Sequence, residues 1–171
     1  GERVTVGGTR GFNPLDIQPT PVELIHQVPD LDPWSEQIAW VLTFFETFFT
    51  HVATNPLAER KQTLRRAIQE TYERSGITRN PLTHDKQSPT VRDVIAVLEN
   101  IIEAPSEYGY ITDGEAESVQ KDARSLLKDL RPSFRLGGDL ENLAKPTDFE
   151  LDSRIIYLDL SQEEGIQGRS Q

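Results

Sequence analysis

The chain contains no cysteine, so disulfides, thiolate catalysis and cysteine-held zinc are excluded. It contains no methionine either, and Gly1-Glu2-Arg3 already reads as the start of a strand. The sequence is therefore expected to be a piece of a longer protein. Positive charge is scarce: 28 acids face 18 bases, for a formal net charge of −10. Within that small set of bases, arginine outnumbers lysine thirteen to five. A surface this acidic repels phosphate backbones and argues against direct nucleic acid binding. Excess acid with little lysine also predicts a halophilic source. No signal peptide is present, which predicts a cytoplasmic location. The most apolar stretch, Ile38–Phe45, is eight residues long, against the roughly 20 that a membrane span needs.

What is present is one strongly apolar helix. Trp34, Ile38, Val41, Leu42, Phe45, Phe48, Phe49 and Val52 recur at intervals of three and four, which places them on one helical face. Ala39, Trp40 and Phe44 extend apolar surface to the other sides. A helix apolar nearly all round is expected to be buried and central. Burial of eight such side chains is worth on the order of 12–24 kcal/mol as an upper bound. At 171 residues, one domain built around this helix is the simplest plan.

The remaining elements follow from local signals. Arg3–Val6 alternates as a strand, and Gly7–Gly11 breaks it. Val22–Val28 is a short helix ended by Pro29, and Asp32-Pro33 caps the apolar helix. Asn55-Pro56 opens a helix running to about Ser75, with Leu57, Leu64, Ala67, Ile68 and Tyr72 inward and Gly76 as its end cap. Its bases Arg60, Lys61, Arg65 and Arg66 scatter in projection and read as solvated. Thr78–Ser88 is a polar loop. Thr90-x-x-Asp93 opens a helix with Val91, Val94, Ile95, Leu98, Ile101 and Ile102 as its core face, stopped by Pro105. Tyr108–Ile111 is expected to tuck against the bundle. Thr112-x-x-Glu115 opens another, burying Val119, Ala123, Leu126, Leu127, Leu130 and Phe134; Pro132 is expected to kink or stop it, and Gly137-Gly138 to close it. Asp139–Ala144 adds a helical turn or two. Arg154–Leu160 is a continuous apolar run, the pattern of a strand buried on both faces. The expected fold is mainly α: a bundle of four or more helices between two short strands.

Chemistry-bearing residues are few. The Gly7–Gly11 loop after a strand invites a phosphate-binding reading, but Phe12-Asn13-Pro14 follows where a P-loop needs Gly-Lys-Ser/Thr. His26, His51 and His84 sit in separate segments without ligand spacing. Glu163-Glu164 reads as a solvated pair. Asp159 ends an apolar strand in the manner of a Walker B carboxylate, yet Leu160 stands where hydrolysing motors usually carry a second acid. No catalytic, cofactor-binding or metal-ligating residue is assigned.

Gly-Gly-x-x-Gly-Phe-Asn-Pro-Leu-Asp-Ile at 7–17 resembles a segment of the VirB/TraC-type traffic ATPases of type IV secretion and conjugation systems. In that family the chain then leaves a RecA-like P-loop core for an all-helical insertion and returns through an apolar strand introduced by Pro-Thr-x-x-x-Leu-Asp. Residues 146–152 and Arg154–Leu160 are similar to that return. The run 127–134 resembles archaeal, especially haloarchaeal, members. The resemblance implies three parts: residues 1–21 leaving the core, 22–145 as the helical insertion, and 146–171 returning. It implies a parent that hydrolyses ATP with Mg²⁺, assembles as a homohexamer and associates peripherally with the cytoplasmic face of a membrane. Walker A would lie before Gly1 and Walker B after Gln171, with Asp159 on the strand before Walker B. The segment's own work would be contact with channel proteins, substrate or a neighbouring subunit. A HerA/FtsK-like DNA-translocating ATPase and a free-standing acidic helical adaptor are the alternatives.

Overall fold

Each long helix begins or ends where its local signal stands. The computed structural model describes residues 3–5, 10–53, 55–148 and 157–159, the first and last of these by backbone alone. Helix α1 covers Val22–Gln27 and α2 covers Pro33–His51. The Asp32 carboxylate accepts from the Ser35 amide at 3.1 Å and from its hydroxyl at 2.7 Å, satisfying a free helix-end donor. A 3₁₀ turn, Ala58–Arg60, leads into α3, Lys61–Arg74. There the Gly76 amide donates to the Glu73 carbonyl and the Ile77 amide to Tyr72, both near 3 Å. This Schellman ending needs the positive φ of 80° that glycine accepts without strain. Helices α4, Val91–Glu103, and α5, Asp113–Phe134, both carry the capping boxes expected of them.

Helices α4 and α5 form the most extensive pair, and α3 packs on both. The inward residues of α3 and α5 are buried as their spacing predicts; on α4, Val97 joins the core while Ile95 and Ile102 are only partly covered. Phe12, Leu15 and Ile17 of the entering segment belong to the same apolar cluster. Strands β1 (Arg3–Thr5) and β2 (Tyr157–Asp159) pair in parallel, with Val4 opposite Leu158. Parallel neighbours cannot be joined by a tight turn, and here the helical bundle lies between them in the chain. The rest of the two expected strands, Gly7–Thr9, and Glu163-Glu164 lie outside the described residues.

Four expectations need correction. Helix α2 is not buried all round: Ala39, Trp40, Thr43 and Thr50 face outward, and Trp40 is 43% exposed. It joins the bundle through one face, where Phe134 of α5 lies 5.1 Å from Phe48 and 6.4 Å from Phe44 and Phe45, ring to ring. Pro132 does not stop α5, which continues through Phe134; the proline sits exposed in its last turn. Tyr108 is tucked in, but Ile111 is 80% exposed. Arg60 is no solvated base. Its guanidinium donates to Asp129 at 2.8 Å, to Ser125 at 3.0 Å and to the Pro56 carbonyl at 2.9 Å, and lies 4.8 Å from the Phe49 ring centre.

Candidate functional site

The densest set of long-range polar contacts lies where the chain enters and leaves the bundle. The backbone fixes it first. The Phe12 amide donates to the Asn142 carbonyl at 3.0 Å, and the Asp148 amide to the Gly11 carbonyl at 3.2 Å. Gly11 returns a bond to the Asp148 carboxylate at 2.8 Å, and the Asn13 amide donates to the Thr147 hydroxyl at 3.0 Å. A side chain at position 11 would put its Cβ 2.5 Å from the Pro146 carbonyl oxygen, so this close crossing requires glycine.

Asn13 then ties the crossing to the helices. Its side-chain amide donates to the Pro89 carbonyl at 2.7 Å, and its oxygen accepts from the Leu15 amide at 3.0 Å, an Asx turn that Pro14 reinforces. Pro89 immediately precedes the cap of α4. One residue further on, the Tyr72 hydroxyl of α3 donates to the Leu15 carbonyl at 2.7 Å and accepts from Gln37 of α2 at 3.2 Å. Burial keeps that hydroxyl protonated far above the usual tyrosine range. Side chains of α2 and α3, and the backbone just before the α4 cap, therefore hold the entering segment by polar bonds.

Asp16 sits half-buried beside these ties. Burial raises its carboxyl above the ordinary aspartate value, against the opposing hydrogen bonds of Ser88 and Thr147. The Ser88 hydroxyl in turn accepts from the Ile17 amide at 3.0 Å. An open cleft of about 350 Å³ is lined by Asp16, Ser88, Thr147 and His84. His84 is fully buried; its Nε2 lies 2.8 Å from the Thr78 carbonyl, which makes that nitrogen the donor, and among the described residues its Nδ1 has no hydrogen-bond partner.

The sequence motifs thus meet in space, but as a mechanical joint. Asn13-Pro14-Leu15-Asp16 and Pro146-Thr147-Asp148 lie side by side and bond directly. His26 and His51 are exposed, whereas His84 is buried. Asp159 is the last residue of β2, opposite Thr5. Among the described residues no group of three or more His, Asp or Glu is placed to hold a metal ion, and no helix is long and apolar enough to cross a membrane. What the sequence did not announce is Asn13's reach to Pro89 across 76 residues; the Asn-Pro pair, with its turn chemistry, was the available signal. Comparison with family models, curated proteins and solved structures returns no match to this chain.

Proposed function

We propose that this chain is the all-helical insertion of a VirB/TraC-type traffic ATPase, with the strands that connect it to a RecA-like P-loop core. The observation that carries this reading is the joint between Gly11–Asn13 and Thr147–Asp148, with β1 and β2 in parallel register beyond it. An insertion must leave and rejoin its host at neighbouring points, and domains with adjacent ends tolerate that placement. The similarity of both joint segments to the family's flanking motifs supports the same assignment.

On this reading ATP and Mg²⁺ are bound by the core of a hexameric parent at the cytoplasmic face of the membrane. The bundle supplies protein–protein contact with channel, transported substrate or neighbouring subunit. The polar joint makes it a rigid body that a change in the core can swing. The test is the reading frame on either side. A G-x-x-x-x-G-K-[ST] upstream and an apolar strand ending Asp-Glu downstream support the assignment. A start codon just before Gly1 with a stop just after Gln171 overturns it and leaves the adaptor reading.

A further inference from the structure

Charge is segregated on this molecule in a way its net value hides. Residues 11–59 contain seven acids and no lysine or arginine. Within that segment α1 has no buried residue, and Val22, Leu24 and Val28 are 55%, 43% and 42% exposed. Glu23 on α1, Asp30 just after it and Glu36 in the first turn of α2 are also exposed, and Trp40 follows one turn after Glu36 on the same side of α2. Arg79 is brought here from elsewhere in the chain; it lies 5.4 Å from the Trp34 ring centre and acts on Asp32.

One face of α5, continued by its C-cap residue Arg135, shows the opposite sign. Lys121, Arg124, Lys128, Arg131 and Arg135 are all exposed. At 100° per residue they fall within an arc of about 80° and extend over about 21 Å. Glu117 stands at one end of the stripe, and Glu99 of α4 lies 3.4 Å from Arg131. Leu136, 77% exposed, closes the other end.

We propose that the α1–α2 corner of one molecule docks against the α5 stripe of a second copy, head to tail. Each surface repels itself, so a twofold contact of like with like is disfavoured; corner against stripe is the pairing in which both signs are matched. The aliphatic stems of the lysines and arginines cover Val22, Leu24 and Val28, and a guanidinium stacks on Trp40. Of the bases at α3, Arg60 is bound to Asp129, Lys61 to Glu46 and Arg66 to Glu70, and Arg74 lies over the Tyr108 ring, all within the same chain. This inference deepens the interaction role proposed above, but it does not depend on attachment to a motor.

The experiment is sedimentation of the chain over a concentration series, at low salt and at about 1 M salt, where the Debye length shrinks to about 3 Å. Concentration-dependent association that weakens with salt is expected. Lys121→Glu with Lys128→Glu, and separately Glu23→Lys with Glu36→Lys, should each weaken self-association roughly a hundredfold. An equimolar mixture of the two double variants should associate again, because each then offers the charge that the other has lost. A wild-type chain that stays monomeric throughout overturns the proposal. So does association that both variants retain, or a mixture that fails to recover it. Salt-sensitive binding of a labelled oligonucleotide that needs Lys121 and Lys128, in a monomeric chain, would assign the stripe to phosphate instead and also overturn it. The reading-frame test fails or succeeds independently of all these results.

Discussion

The amide of Asn13 donates to the hydroxyl of Thr147 across 134 residues of chain, at 3.0 Å. Those two residues mark where the polypeptide enters and leaves the helical bundle. The same asparagine reaches the last carbonyl before the α4 cap, so relative motion of the chain's two ends strains a helix directly.

Asn13→Ala should therefore destabilise far more than its size suggests. It removes the donor to Pro89 and the acceptor for the Leu15 amide, leaving two buried backbone groups unpaired. The expected loss is about 2–3 kcal/mol. Thermal unfolding should fall by roughly 4–12 °C for a chain of this size. A change under 2 °C, on the order of half a kcal/mol, would show that water replaces both bonds and that the joint is not a rigid tie.

Gly11→Ala tests the joint without touching the core. Its Cβ would meet the Pro146 carbonyl oxygen at 2.5 Å, so the two segments must part. Amide exchange at Asp148, which donates to the Gly11 carbonyl, should accelerate at least roughly tenfold. Exchange in Leu126–Leu130 of α5 should be unchanged. Equal acceleration at both places would mean that the joint and the bundle open as one unit.

Arg60→Met should cost about 2 kcal/mol, since it leaves the Asp129 carboxylate, with only 12% of its side chain exposed, without its cation. Arg60→Lys should recover only part of that, because one ammonium cannot meet Asp129, Ser125 and Pro56 in a fork. A double-mutant cycle with Asp129→Asn isolates the pair. Coupling indistinguishable from zero would return Arg60 to the class of ordinary surface bases.

The parts legible in the sequence are those with short-range causes. Asp32-Pro33, both capping boxes and Gly76 each act within four residues of their targets, and all stand where the pattern put them. Periodicity also found the inward faces of α3 and α5. It could say that Trp40 is apolar, but not whether another element would cover it. Projection gave the direction of Arg60 around α3, but not that α5 would bring Asp129 to meet it. Asn13's partners are 76 and 134 residues away, and such distant pairings leave no periodic trace. The basic stripe on α5 was equally present in the sequence, hidden by a negative total that averages over the surface.

Asp16 and Asp32 should move stability in opposite directions with pH. Burial holds the Asp16 carboxyl above the ordinary value of 3.8, outweighing the Ser88 and Thr147 hydrogen bonds. The folded chain thus binds that proton more tightly than the unfolded chain. Its stabilising effect is fully present below 3.8 and is lost as pH rises through the folded value. For Asp32 the Ser35 hydroxyl and amide hold the carboxyl below 3.8, so its contribution is present above 3.8 and is lost as pH falls through the folded value. Asp16→Asn and Asp32→Asn each remove one titration while keeping the side chain's shape. Unfolding temperatures followed over roughly pH 2–7 separate the two effects. The wild type's stability relative to Asp16→Asn should decline from acid toward neutral pH, whereas relative to Asp32→Asn it should rise across the acidic part of the range. A rising curve for Asp16 as well would mean that the hydrogen bonds outweigh burial, and that the joint favours the charged carboxylate.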